Sequence, residues 1–509
     1  MAKRISTLPL ALPPRPTRAG AVHWLVDALR HRILAGQLRP GQRLPASRDL
    51  AAHYRLARGT VVSAFEQLAA EGYVVATVGS GTRVSEVLPD DLLRAPRANP
   101  RRSAEEVHPP RRLSRFARQS SLLRGNQPRP LCAFRANEPA LDRFPTGLWA
   151  QVTGRRLRRL DPDLLVGCDP AGYRPLREAV ADYLRSSRGV SCEAEQVLIL
   201  SGSQEALDLA SRILIEPGDR VALEEPGYPG ARRVFTAHGA KIVDTPVDAD
   251  GVVVDAARWR GVRLAYLTPA HQYPLGIALS LARRLELLDW ARQSGAILFE
   301  DDYDSEFRYA ARPLPALQGL DRHGVVCFAG SFSKVLFPSL RLGYLVVPPA
   351  LVEPFSTVKS VVSRHAPLLD QAILTDFLTE GHFGRHLRRM REIYSGRLSA
   401  LLDAGREHLA GRLKISPIEA GLQTVGWLAP GLRAEEVERA AAARGVEVIP
   451  LSRFTRSAGL PEGLQLGFAA VEVPELRRGV RELARVLDRL GGDRRGSQSG
   501  SLKPPVTRS

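Results

Sequence analysis

Three regimes of hydrophobic patterning divide the chain. In residues 20–85 apolar positions recur at helical spacing: Val22, Leu25, Val26, Leu29 and Ile33 share a face, and Gly36 supplies a stop. After "LRPGQRLPA", Ser47 is placed to cap a second helix carrying Leu50, Ala51 and Tyr54. A third helix sets Val61, Ala64, Phe65 and Leu68 on one face and ends at Gly72, and "YVVATVGSGTRVS" then reads as two short strands about a Gly-Ser-Gly turn. Helix, helix-turn-helix and hairpin together make a winged helix, preceded by an N-terminal arm over 1–19. Between 86 and 130 the period is lost: "APRANPRRSAEEVHPPRRLSRFARQSS" is rich in Pro, Arg and Ser and predicts a flexible linker.

From 131 to 490 short apolar runs ("QVLIL", "RVALE", "VRLAYLT", "AILFE", "GVVCFAG", "GYLVV") alternate with helical stretches such as 204–215 and 281–293. Strands apolar throughout are covered on both faces, so this is an α/β domain of mostly parallel strands. Residues 390–490 read as a smaller α+β lobe, and 491–509, "GGDRRGSQSGSLKPPVTRS", as a disordered tail.

Charge changes this picture. Residues 1–130 hold 22 Lys+Arg against 9 Asp+Glu, a net +13 of the chain's +18. A positive field gathered on the N-terminal quarter points to a polyanionic partner there. No apolar stretch reaches the roughly 18 residues of a membrane span, and prolines interrupt "MAKRISTLPLALPPRP", so neither a membrane segment nor a secretory signal is read. Cys132, Cys168, Cys192 and Cys327 lack metal-type spacing, which predicts free thiols in a reducing cytoplasm and no metal site.

In a helix-turn-helix the second helix enters the major groove N-terminus first. That assigns Arg58 and Thr60 to base edges, Arg48 to a phosphate at the start of the preceding helix, and the hairpin tip Gly79-Ser80-Gly81 to the sugar-phosphate backbone. The stretch "ILAGQLRPGQRLPASRDLAAHYRLARGTVVSAFEQLAAEGYV" resembles the winged helix of GntR-type bacterial regulators. The usual "SRNTV" is "ARGTV" here, with Ala57 in place of the common capping serine and Gly59 in place of asparagine.

The second half carries different chemistry. In "GSFSKVLFPSLRLGY" (330–344) Lys334 follows a buried-strand pattern. A lysine held in this way can lose its proton and form a Schiff base with an aldehyde. Pyridoxal 5'-phosphate requires a carboxylate for its ring nitrogen, a donor for its phenolic oxygen, an aromatic face and a phosphate cradle. "AILFEDDYDSEF" supplies Asp301 and Tyr303, which face the same way in an extended segment. "LSGSQEALDL" opens a helix at Ser203 and Gln204 for a phosphate, Ser331 and Arg341 complete that cradle, and "EEPGYPG" presents Tyr228 for stacking. Singly, each has a structural reading, such as a solvated acidic turn or a packing tyrosine.

Residues 131–490 resemble a fold-type I, class I aminotransferase, and the whole resembles the MocR/GabR family of bacterial regulators. The resemblance implies Lys334 as the Schiff-base lysine, Asp301 at the ring nitrogen, Tyr303 at O3′ and Tyr228 as the stacking ring. It makes Ser203, Gln204, Ser331 and Arg341 phosphate ligands. It also implies promoter DNA and a small amine or B6 vitamer as partners, and a head-to-tail homodimer in the cytoplasm. Three departures stand out. Gln465 in "LQLGFA" occupies the position of the usual carboxylate-binding arginine, with Arg453 as a candidate substitute. Tyr273 stands where an asparagine usually precedes proline, leaving His271 without an assigned role, and Gly167 stands where a tyrosine often reaches the neighbouring subunit. A regulator that retains little or no transamination is expected. The rival readings are a working aminotransferase with an appended head, and a dimerisation scaffold that has lost its cofactor.

Overall fold

The computed structural model describes residues 10–16, 20–77, 81–89, 112–120, 130–309, 315–456 and 459–498. The chain divides into two units, Met1–Arg111 and Arg112–Ser509. In the first, α1 (Ala21–Leu34), α2 (Ser47–Tyr54) and α3 (Arg58–Ala70) precede the antiparallel strands β1 (Val74–Thr77) and β2 (Gly81–Val84). Leu25, Leu29, Val61, Ala64 and Leu68 are fully buried in one shared core. Burial of this stripe, rather than propensity, holds helices as short as these. Ser47 is not the cap of α2. Ala46 takes that position, so the Ser47 hydroxyl lies already within the first turn and no side chain caps the helix. Part of the arm packs on this core: Leu10 is buried, the Leu12 N–H donates to the Tyr54 hydroxyl at 2.8 Å, and Trp24 Nε1 donates to the Pro13 carbonyl at 3.2 Å.

The second unit is built on eight strands: β3 (Val197–Leu200), β4 (Arg220–Glu225), β5 (Lys241–Asp248), β6 (Gly251–Val252), β7 (Val262–Leu267), β8 (Ile297–Asp302), β9 (Val326–Ser331) and β10 (Gly343–Val346). Their order is β3-β10-β9-β8-β7-β4-β5-β6. Pairing is parallel from β5 through β4, β7 and β8 to β9, while β10 runs antiparallel to both β9 and β3. Helices cover both faces. Leu209, Phe235 and Phe355 belong to one apolar cluster, and Trp259, Leu287 and Leu298 to another. The six apolar runs fall on β3, β4 and β7 to β10. The edge pair β5–β6 escaped them, because β5 alternates in burial and carries Lys241, Asp244 and Pro246.

The smaller lobe is an antiparallel sheet in the order β11-β12-β14-β13, comprising β11 (Leu413–Ile415), β12 (Gln423–Leu428), β13 (Ile449–Pro450) and β14 (Gly463–Gly467). Both ends of the unit build it: Ala133 bridges to Val446 and Phe134 to Gly467. Phe134 is buried, with a φ of 68° that only surrounding contacts hold in a non-glycine residue.

Two expectations are corrected. The linker is not featureless throughout: Ser114 Oγ accepts the Ala117 N–H at 3.1 Å and caps a helix over Arg115–Gln119, and Phe116 packs edge-on against His238 at 5.1 Å. An aromatic docked on the second unit thus anchors 112–120, while 90–111 and 121–129 lie outside the described residues. The tail is not wholly disordered either. The helix Val473–Gln498 runs into it, because adding residues to a helix already packed through Leu476, Val480 and Leu483 avoids the cost of nucleation. Among the described residues no helix is long and apolar enough to cross a membrane, and no His/Cys/Asp/Glu group is suited to a metal.

Phe134→Ala is expected to destabilise the second unit by ~3–5 kcal/mol. Denaturant unfolding checks this, and a loss below about 1 kcal/mol would show that the segment is not integral to the lobe.

Candidate functional site

Site geometry begins where three strands end together. Gly343 of β10 pairs with Ser331 of β9 on one side and Leu200 of β3 on the other. Beyond Leu200 the chain turns at Gly202, whose φ of 121° suits glycine, and opens the helix Ser203–Leu214. The first N–H groups of a helix have no intrahelical acceptor, so those of Ser203 and Gln204 are open to an anion. Arg341 reaches the same spot: its Nη1 lies 3.7 Å from where a Cβ on Gly202 would stand. Arg341 is exposed and has no carboxylate partner among the described residues. Ser331 caps the short helix Phe332–Val335 by accepting the Ser333 N–H at 3.1 Å, and that helix carries Lys334.

Lys334 Nζ donates to the Asn137 carbonyl at 2.6 Å. Burial pulls its pKa down, against Glu138, Asp304 and Asp301, which raise it. The acidic run is not a solvated turn, since Asp301, Asp302 and Asp304 are all buried. Their partners differ. Asp302 sits in an ion pair with Arg188 at 2.7 Å, and Asp304 holds His271 Nδ1 at 2.9 Å. Asp301 Oδ2 accepts from the Tyr266 hydroxyl at 2.7 Å, while Oδ1 has no partner. Burial raises the Asp301 pKa to about 6, with the Tyr266 bond opposing.

Aromatic rings wall the cleft. Tyr228 lies 5.7 Å edge-on from Tyr273, which lies 5.7 Å from Tyr303, and Gln204 Nε2 donates to the Tyr228 hydroxyl at 3.0 Å. The Tyr303 hydroxyl donates to the His271 carbonyl at 3.0 Å and faces His271 Nδ1 at the same distance. Lys334, Asp301, Tyr303, Tyr228 and Gln204 therefore meet in one cleft, with Ser203, Ser331 and Arg341 at its strand-end floor. Arg453 does not join them. It is 59% exposed and paired with Glu438 at 2.6 Å. Gly167 lies instead against His365, whose Nε2 is 3.2 Å from the position of a Cβ.

Sequence reasoning passed over three residues. Tyr266 could have been found as a lone hydroxyl inside an apolar strand, which requires a buried partner. Asp304 stood in the quoted acidic run without a role. Asn137 gave no signal, because it comes from an aperiodic segment far away in the chain.

In the first unit Arg48 and Arg58 are exposed near the starts of α2 and α3, with Thr60 in the first turn of α3. Gly81 opens β2, while Gly79 and Ser80 lie outside the described residues. Arg43 and Arg83, exposed and joined by a backbone bridge, add two cations beside this strand.

A winged helix carried on an aminotransferase-type α/β unit defines the class of protein. Residues 23–84 match the family described as Bacterial regulatory proteins, gntR family, and residues 134–483 match Aminotransferase class I and II, a pyridoxal-phosphate-dependent fold family. The chain is 40% identical to the probable rhizopine catabolism regulatory protein MocR of Rhizobium meliloti, over 90% of this chain and 92% of that one. It is 31% identical to the pyridoxine biosynthesis transcriptional regulator PdxR of Corynebacterium glutamicum, over 94% and 98%. Among solved structures, LysN, the alpha-aminoadipate aminotransferase of Thermus thermophilus complexed with N-(5'-phosphopyridoxyl)-L-leucine, matches with a TM-score of 0.65 and 31% identity, over 71% of this chain and 93% of that one. The chain belongs to the MocR-type transcriptional regulators, in which a gntR-type DNA-binding head is fused to an aminotransferase domain.

The residues present fit the cofactor of that fold family. The free Oδ1 of Asp301 can take a ring N–H, and the Ser203 turn with Arg341 can take a phosphate. Asp301→Asn is expected to weaken cofactor binding yet stabilise the cofactor-free protein by roughly 3 kcal/mol at pH 8. The sign follows from burial. A carboxyl whose folded pKa is raised above its unfolded value costs stability once it ionises, so the gain shrinks as pH falls through about 6. Thermal unfolding of both proteins across pH 5–8 checks it.

Proposed function

We propose that this regulator binds pyridoxal 5'-phosphate at Lys334 and couples occupancy of that site to its grip on promoter DNA. The observation that carries the reading is a partly buried lysine whose amine has a depressed pKa and, among the described residues, only a backbone carbonyl as hydrogen-bond partner. Such an amine can be neutral when an aldehyde arrives. The cofactor, when bound, supplies a carbonyl at which amines exchange. Asp301 would hold the ring nitrogen, Tyr303 the phenolic oxygen and Tyr228 the ring face. Ser203, Gln204, Ser331 and Arg341 would hold the phosphate.

Control follows from linkage. An effector that favours one arrangement of the domains shifts DNA affinity by its difference in affinity for the two, and an indifferent ligand shifts nothing. The effector is an amine or a B6 vitamer. Relatives are named as regulators of rhizopine catabolism and of pyridoxine biosynthesis. Gln465 in place of an arginine argues against efficient turnover of amino acids. Exposed Leu165, Val166, Val361 and Val362, near Gly167 and His365, favour a homodimer that covers them.

Purified wild type is expected to show a visible absorption band with added cofactor, and Lys334→Ala to lack it. A colourless wild type would leave a DNA-binding scaffold. Rapid turnover of amino donors with a keto acid would instead favour the aminotransferase. Arg58→Ala should weaken binding to duplexes selected from a random library by about tenfold or more, measured by fluorescence anisotropy at fixed salt.

A further inference from the structure

The small-lobe sheet turns one face toward Tyr273. Val425 pairs with Gln465 and Gln423 with Gly467, so Gln423, Val425 and Gln465 share a face. Val425 packs with Tyr273 and Phe454; burial raises the pKa of the Tyr273 hydroxyl, and the Gln465 amide beside it opposes that rise. That proximity falls short of a hydrogen bond in the geometry observed: neither Gln465 Oε1 nor Nε2 has a partner, although the residue is 0% exposed. Gln423 is similar. Its Oε1 accepts the Asn137 N–H at 3.0 Å, but its Nε2 is unpartnered. Asn137 in turn receives Lys334 and donates from its side chain to the Tyr273 hydroxyl at 3.2 Å, so both amides connect to the lysine through Asn137, Gln423 directly and Gln465 by way of Tyr273.

A buried amide left unpaired is costly, and in a ligand cleft it marks bonds that a ligand can make. The charges nearby say which ligand. Glu138, Asp301 and Asp304 all act on Lys334. Arg453, Arg308 and Arg135 are committed to Glu438, Glu419 and Glu447. A carboxylate entering here would face carboxylates, and among the described residues the one uncommitted guanidinium near the cleft, Arg341, lies at its strand-end floor beside Gly202. An amine is drawn in, and a hydroxyl is neutral and offers the donor and acceptor that one amide lacks.

We propose that the cleft takes a primary amine bearing hydroxyl groups in place of a carboxylate, with Gln465, assisted by Gln423, reading the hydroxyl. This rests on the sensor reading above. The test uses the full-length protein loaded with cofactor and titrated with 3-amino-1-propanol, propylamine and β-alanine, following the visible band. The amino alcohol should half-saturate at about tenfold lower concentration than either of the others. Gln465→Leu should erase its advantage over propylamine, and Gln465→Arg should shift preference to β-alanine.

The inference is overturned if β-alanine binds wild type as tightly as the amino alcohol, if Gln465→Leu keeps the hydroxyl preference, or if a protein with a band responds to no amine. A protein without a band fails the sensor reading instead, and the cofactor-free protein then decides the matter. Gln465→Leu should raise its melting temperature by a few degrees, because an unpaired amide is removed. An unchanged or lower value would mean that the amide is already satisfied and would overturn the inference.

Discussion

Gly343 lies so close to its neighbours that a Cβ there would stand 2.8 Å from the Gly330 carbonyl oxygen and 3.1 Å from the Gly202 Cα. That approach lets the antiparallel strand β10 sit between β3 and β9, beside the parallel run from β9 to β5. Its two ladders align the end of β3, the turn into the helix Ser203–Leu214 and the segment that carries Lys334. Without it the N–H groups of a helix, a guanidinium and a partly buried amine would not converge. Binding sites at the carboxyl ends of strands are general in open α/β sheets. Here the convergence comes from a missing side chain.

Burial then sets the chemistry. Lys334, Asp301 and Tyr303 all have pKa values displaced toward their neutral forms by loss of solvent. Each neighbour moderates this. Tyr266 stabilises the Asp301 carboxylate, and three carboxylates oppose deprotonation of Lys334. A site tuned in this way is poised for a ligand that brings its own charges, a cationic ring and an anionic phosphate. The small lobe contributes two neutral amides, Gln423 and Gln465, each with an unpartnered atom.

Much of this was legible in the sequence. Helical periodicity located α1 to α3, and continuous apolar runs located six strands, β3, β4 and β7 to β10. Both patterns follow directly from burial of one face or two. Strand β5, next to the edge, was missed because it is only partly buried, and the Ser47 cap failed because capping depends on the dihedral angles of one residue. The short docked helix of the linker was missed because one aromatic, Phe116, leaves no period.

Local sequence settles which chemical groups the protein owns and in what order they occur: a lysine after a buried strand, alternating Asp301 and Tyr303, a glycine turn into a helix, and a glutamine at 465. These are local facts, fixed by strand and helix geometry over a few residues. Only the tertiary structure decided what those groups do to one another. It brought Asn137 to Lys334 across 197 positions, split the acidic run into three separate partnerships, turned Arg453 outward and left the Gln465 amide unpaired. Pairing and desolvation depend on distances through space, which the packing of distant segments sets and which no local pattern encodes.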